Sequence, residues 1–520
     1  MTEMVRSRAD VVDWSARARR WTLVLLAAGV AWRLVRYGLG FPLWGDEAAL
    51  LLNVVERHGY AELLRPLAHE QVAPLGFLAA EYTAVREWGT SEYAVRLFPL
   101  IAGLAGLFAF ARLAWLALPP VGAMCAVGVL AATHYVTRYS LDAKPYGTDL
   151  LVAAGLLLLA VRWSRTPEQQ RWLALLVVVA PVGLLFSYPG VFVAGAISVG
   201  LLPILLRRRS SPVDWALFAA YNAAIVVTFA GLWHLSVTGQ FEQTRSGMLR
   251  YWVRGFPPAD PLRFVVWLVD VHTAEMMSYP LGGKHGASAL TAVLCFGGAA
   301  LLLLRGQRDL VRLLGWIFVL TFAAAALRRY PYGGSARVAQ HLAPAICLFV
   351  GASLEAIIRA FQSARQRRTA GAVAGLVLLG LIAAGAARDV LHPYHTKGHQ
   401  RVATLLSALK RDHGPDSGVW LMDRLDSMPF IVQWYVLDGV AGDRGRLDEG
   451  SSGTSVLTRH REWWVLNLDP DRAGKASVPP RAQLSEAGYV LRHTGGFVLS
   501  HTRQGSPKRV LELERWERAT

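Results

Sequence analysis

The sequence predicts a mainly α-helical, polytopic membrane bundle of about eleven spans, followed by a small soluble α/β domain. Three observations predict it. Of the 520 residues 53% are hydrophobic and only 18% are charged, against about 25% charged in a soluble domain. Mean hydropathy is +0.32. The apolar residues gather in long uncharged runs, such as 173–206. These features exclude an ordinary cytosolic enzyme. Disorder is excluded too, because the chain holds 18 Trp, 16 Tyr and 19 Phe.

The spans follow in order. A spanning helix needs about 20 mostly apolar residues. Run 173–206 would reach about 50 Å as one helix, too long for a single span. Its centre reads Ser187-Tyr188-Pro189-Gly190, a turn signal, so two helices are expected there. Pro119-Pro120 likewise separates 94–117 from 121–138. The full set of expected spans is 21–39, 94–117, 121–138, 146–162, 172–187, 190–206, 214–235, 288–304, 311–327, 338–358 and 370–387. Arg33 and Arg36 interrupt the first.

The formal charge is +17. In a membrane protein Lys and Arg collect in cytoplasmic loops, and that reading displaces a nucleic-acid partner. The N-terminus carries Arg6, Arg8, Arg17, Arg19 and Arg20. Further arginines fall in the loops at 162–171, 207–209, 305–312 and 359–368. Eleven spans put all of these on one side, with the N-terminus cytoplasmic. The opposite side then carries loops 40–93 and 236–287 and the C-terminal region. The expected domains are a membrane domain over 1–388 and an extracytoplasmic domain over 389–520. Cys125, Cys295 and Cys347 lie in apolar stretches, so no disulfide framework is expected. Metal-ligand spacing is absent.

In the C-terminal region 399–411 predicts a helix. Gly418–Asp423 and Trp463–Asn467 predict short buried strands. That alternation suggests a small α/β unit. No phosphate-cradling glycine motif follows a strand, so no nucleotide site is assigned.

The first long loop is the most informative. It opens Leu43-Trp44-Gly45-Asp46-Glu47-Ala48. Two readings fit the acidic pair. Acids in the first turn of a helix favour its dipole. Alternatively, they are catalytic. Adjacent helical residues point about 100° apart, so Asp46 and Glu47 cannot flank one bond as a hydrolase pair does. One base with one helper is more natural. A phosphate-linked donor suits this arrangement, since its leaving group needs cations and its acceptor needs a base. Farther on, His69 and Gln71 either bind a sugar or are idle interfacial polar groups.

Two cationic clusters lie on the same expected side. One is Arg138-Tyr139-Ser140-Leu141-Asp142-Ala143-Lys144-Pro145-Tyr146. The other runs from Arg328 through Tyr330, Tyr332, Gly333 and Gly334 to Arg337. Cations there run against the positive-inside trend. They bind headgroups or snorkel, or they form a pocket for a lipid phosphate, with Gly333-Gly334 allowing close backbone approach. Arg33 and Arg36 either belong to such a pocket or snorkel.

The runs Trp44-Gly45-Asp46-Glu47-Ala48, Ala73-Pro74-Leu75-Gly76-Phe77, Ser91-Glu92-Tyr93-Ala94-Val95-Arg96-Leu97 and Arg138–Tyr146 resemble membrane glycosyltransferases of the GT-C fold. The resemblance is to the bacterial branch related to protein O-mannosyltransferases and aminoarabinose transferases. It covers residues 30–160 well, is looser through 340, and ends by 390. It implies a GT-C-like bundle in the bacterial inner membrane. It also implies a polyprenyl-phosphate sugar donor and an inverting transfer of a hexosyl or pentosyl group at the outer face. The acceptor would be an envelope glycan, lipid or protein.

The family's base falls on Asp46, with Glu47 beside it, and its later basic residue falls on Lys144. Substrate-binding roles are expected for His69, Gln71, Arg138, Tyr139, Asp142, Lys144, Tyr146, Tyr332 and Arg337. Relatives often carry Lys-Pro-Pro or His-Pro-Pro where this chain has Val72-Ala73-Pro74. The phosphate contact must then come from elsewhere, with Lys144 and Arg337 as candidates. No cofactor is assigned, and a divalent cation stays open. The alternative is a non-enzymatic transporter or flippase of lipid-linked glycans. That class should show repeats and broken helices, and no repeat relates the two halves here.

Overall fold

The structure is a computed structural model. It describes residues 2–208, 210–283 and 285–392, the strands at 417–421, 462–467, 489–501 and 507–518, and Trp434 and Ser485. Helix α1 covers Thr2–Gly38, α2 Gly45–Val55, α3 Leu75–Trp88 and α4 Glu92–Ala117. Next come α5 (Pro120–Ala132), α6 (His134–Tyr139), α7 (Tyr146–Arg165), α8 (Arg171–Phe186) and α9 (Gly190–Arg207). Helix α10 (Pro212–Leu232) continues through a π-turn at Trp233–Val237 into α11 (Thr238–Tyr251). The rest are α12 (Pro261–His272), α13 (Ala287–Leu304), α14 (Arg308–Ala326), α15 (Ala343–Arg359) and α16 (Ala364–Leu391).

Each of the eleven predicted spans falls on a helix or helix pair. Among the described residues eight helical segments are long and apolar enough to cross a membrane, and Pro120–Ala132 and Arg171–Phe186 are shorter apolar helices. The protein is a multi-pass membrane protein. One boundary moves: expected span 121–138 breaks at Thr133, which is extended, and the Thr133 hydroxyl caps back onto the Val129 carbonyl at 2.7 Å. The Ser187–Gly190 turn forms as expected. Gly190 N–H donates to the Ser187 carbonyl at 3.2 Å and to its Oγ at 3.0 Å.

Helix α5 lies at the centre, with every residue from Val121 to Ala132 buried. It touches α1, α4, α15 and α16. Small residues permit this. A Cβ on Gly351 of α15 would sit 2.6 Å from the Gly122 carbonyl oxygen of α5. Membrane helices associate through such close backbone packing, because lipid offers no hydrophobic drive between them.

The two ends of the bundle differ. At one end Arg207 pairs with Asp309, and Arg305 and Arg359 both reach the buried Glu355, at 2.6 and 2.5 Å. At the other end α1 and α4 join: Tyr37 OH donates to the Tyr93 carbonyl at 2.8 Å, and Tyr93 OH donates to the Gly38 carbonyl at 3.0 Å. The snorkelling expected of Arg33 and Arg36 is not what the structure holds. Arg33 is 0% exposed and donates to the Gly29 carbonyl at 3.0 Å, while Arg36 pairs with Asp389 at 2.8 Å. Gly29 packs against Ala131 and Leu107, so this face of α1 points into the bundle.

The chain divides into two units, Met1–Leu39 with Arg57–Leu391, and Gly40–Glu56 with His392–Thr520. The second contains α2 and a sheet of β1 (Ser417–Leu421), β2 (Glu462–Asn467), β3 (Tyr489–His501) and β4 (Pro507–Arg518). Strand order is β1-β2-β4-β3. β1 and β2 are the two predicted strands and pair in parallel, with Gly418 opposite Trp463. β4 pairs antiparallel with both β2 and β3. Its alternation of Leu511 and Leu513 with Glu512 and Glu514 is a strand signal that the span-centred reading passed over. The helix expected at 399–411 lies outside the described residues.

Candidate active site

Helix α2 begins at the acidic pair. Glu47 is fully buried, and its Oε2 accepts the Trp44 backbone N–H at 3.1 Å. Glu47 therefore satisfies one of the donors that a helix N-terminus leaves without a partner. Asp46 is half-buried in the same turn. The helix-terminus reading thus accounts for Glu47 by a specific bond.

The segment after His58 is held in an unusual shape. His69 and Glu70 both adopt left-handed backbone, with φ of 62° and 53°. Such residues cost on the order of 1–3 kcal/mol each and persist only where surroundings hold them. Three partners do so here. Lys144 Nζ donates to Gln71 Oε1, and Gln71 Nε2 donates to the His69 carbonyl at 3.0 Å. Tyr188 OH donates to the Ala73 carbonyl at 2.9 Å. Gln240 Oε1 accepts the Ala73 N–H at 3.2 Å. Gln240 and Ser236, which bond each other at 3.0 Å, lie in and just after the π-turn. Such turns often occur at functional sites.

The Arg138–Tyr146 cluster spans α6, a tight turn and the start of α7. Asp142 and Lys144 are both 5% exposed, and Lys144 N–H donates to the Asp142 carbonyl at 2.6 Å. Tyr135 and Tyr139 stack at 6.0 Å, and Tyr146 meets Tyr139 edge-on at 5.6 Å. The Arg138 guanidinium lies 5.2 Å from the Tyr139 ring centre.

In the second cluster Arg337, 5% exposed, sits 4.7 Å over Trp252 and donates to Tyr251 OH at 2.5 Å. Stacking of this kind suits a guanidinium better than an ammonium. Gly333 and Gly334 have φ of 71° and 78°. Their close approach is to protein: Cβ atoms there would meet Val271 at 2.3 Å and Gly255 at 3.2 Å. Tyr332 turns away from the cations. Its OH bonds His272 Nε2 at 3.0 Å, and its ring packs on Phe322 and Trp267. Burial pushes the Tyr332 phenol up and the His272 imidazole down, so both are neutral.

The two clusters meet at Tyr139. Burial raises its phenol, while Arg138 and then Arg337 draw it back down. Gln71, Arg138, Tyr139, Asp142, Lys144, Tyr146 and Arg337 therefore share one end of the membrane unit. His69 contributes its carbonyl, to Gln71. Sequence reasoning missed Tyr188, Gln240, Tyr251 and Trp252. Tyr188 read only as part of a turn, and the others lie in a loop without a motif. Among the described residues no group of three or more His, Cys, Asp or Glu could hold a metal ion.

Among solved structures, the chain is similar to ArnT from Cupriavidus metallidurans in the apo state. The two are 12% identical, with a TM-score of 0.53, over 96% of this chain and 98% of that one. The same protein bound to undecaprenyl phosphate gives 14% identity and a TM-score of 0.50, over 95% and 98%. The apo oligosaccharyltransferase from Archaeoglobus fulgidus is 12% identical, with a TM-score of 0.46, over 80% of this chain and 64% of that one. No family model and no curated protein matches the sequence. The fold is the GT-C fold of membrane glycosyltransferases.

Proposed function

We propose that the protein is an inverting glycosyltransferase. It moves a sugar from a polyprenyl-phosphate donor to an envelope acceptor on the outer side of the bacterial inner membrane. The observation that carries this reading is the reach of Lys144 to Gln71. Family members often carry a cation in the segment that reads Val72-Ala73-Pro74 here. Lys144 brings a buried ammonium beside that segment from the turn between α6 and α7, restoring the missing charge in space. The ligand of the similar ArnT structure, undecaprenyl phosphate, supports the donor class. The arginine-rich loops at the opposite end of the bundle support a cytoplasmic placement for that end.

The chemistry is a single displacement. The acceptor oxygen attacks the anomeric carbon, its proton passes to Asp46, and the bond from carbon to phosphate oxygen breaks. Polyprenyl phosphate leaves as an anion. Lys144 and Arg337 neutralise the charge that builds on it, where electrostatic stabilisation contributes most. Asp46 serves the acceptor, because a carboxylate close to the donor phosphate would be repelled at low dielectric. Asp46→Asn keeps the shape and removes the base. Transfer should fall about 10²-fold or more, with donor binding nearly unchanged. Wild-type transfer by a folded Asp46→Asn protein would sink the assignment.

A further inference from the structure

Helix α12, inside the long 236–287 loop, has two apolar faces. At about 100° per residue, Phe264, Trp267 and Val271 fall on one side, and Leu262, Val265, Val266 and Val269 fall on the opposite side. The first set packs inward. Trp267 and Val271 are buried, and Phe264 and Trp267 contact Phe322 of α14. The second set is open: Leu262 is 77% exposed, Val266 58%, and Val265 and Val269 57% each. Between the faces lies one polar edge, with Arg263 and Asp270. Asp270 lies 3.2 Å from His285.

The depth of α12 decides what covers the open face. His272 packs at 5.4 Å on Phe296, nine residues into the spanning helix α13. The residue after His272, Thr273, accepts the His285 N–H at 2.9 Å just ahead of α13, so the end of α12 lies at the head of that span. Phe322 lies within α14 and not beyond its end. The neighbouring span α13 carries apolar surface of the same kind, with Leu290, Val293 and Phe296 61%, 69% and 54% exposed. Twelve residues reach only about 18 Å, so α12 cannot cross the bilayer itself.

We propose that α12 is a membrane-embedded helix lying along the interface. Leu262, Val265, Val266 and Val269 insert among the acyl chains of the leaflet on its side, and the Arg263–Asp270 edge faces water. Segment 236–287 is then partly a lipid-facing wall behind the Tyr332–His272 pair, and not an aqueous loop throughout. This stands whether or not the protein transfers sugar.

Single cysteines at Val265, Val269 and Arg263 test it, each carrying a bimane label, in the full-length protein reconstituted in phosphatidylcholine–phosphatidylglycerol vesicles. The native Cys125, Cys295 and Cys347 are buried and compete little for label. Val265→Cys and Val269→Cys should be quenched several-fold more by nitroxide-labelled lipid than by aqueous iodide, and Arg263→Cys the reverse. Iodide quenching at 265 and 269 would put the stripe in water. Shielding from both quenchers would mean that protein covers it, whether another segment of this chain or a second copy. Either result overturns the proposal, and agreement at either valine position suffices if the other variant misfolds.

Discussion

Arg36 and Asp389 form an ion pair at 2.8 Å between the last turns of α1 and α16, 353 residues apart in sequence. Trp32 Nε1 donates to the other carboxylate oxygen at 2.8 Å. Asp389 thus ties the first membrane helix to the last, close to where the chain passes into the second unit at Gly40 and again at His392. The pair is nearly withdrawn from solvent, with 12% and 6% of its side chains exposed.

Removing one member of such a pair strands the other charge. Asp389→Ala should destabilise the protein by about 3 kcal/mol, read as a lowered unfolding temperature in detergent. Adding Arg36→Leu should recover part of the loss, because no charge is then left without its partner. Equal stability of Asp389→Ala and wild type would remove the latch from the account.

Lys144 has one observed contact, with Gln71, and one proposed duty, neutralising phosphate, and the two separate by mutation. Lys144→Ala should weaken binding of a labelled polyprenyl phosphate about tenfold or more, since a charge-assisted bond is lost. Gln71→Ala breaks the same contact and keeps the cation. It should disturb the loop yet bind the lipid nearly as wild type does. Equal losses in both variants would reduce Lys144 to a loop support.

Packing gives a sharper contrast on α13. A Cβ on Gly298 would lie 1.8 Å from the Phe349 carbonyl oxygen of α15, whereas one on Gly297 would have Ser353 Oγ at 3.5 Å as its nearest neighbour. Gly298→Ala should force the helices apart and cost about 1–3 kcal/mol or more. Gly297→Ala should be close to neutral. Thermal melts of the two variants side by side decide it.

Much of the fold was legible in the sequence, because bilayer thickness imposes a length and an apolarity that composition alone reveals. The proline and Ser-Tyr-Pro-Gly breaks marked turns that the chain makes. The two strands at 417–421 and 462–467 stood out as apolar runs in polar surroundings. Glu47 at the head of α2 was legible as well, since capping is a local event spanning three residues.

Helical periodicity could say far less about which residues meet. On helices apolar all round, an inward face and a lipid face look alike in sequence. Only tertiary packing showed that Arg33 and Arg36 point into the bundle, that Tyr332 turns towards His272, and that the glycine pair at 333–334 is filled by protein. It also brought Lys144 to Gln71, 73 positions away, and set Arg337 on Tyr251 and Trp252. The sequence by itself determined the class of protein, its helices and its candidate acids and cations. The tertiary structure decided the partners, because contacts between distant positions depend on how helices cross at a few small residues, and no local pattern encodes that crossing.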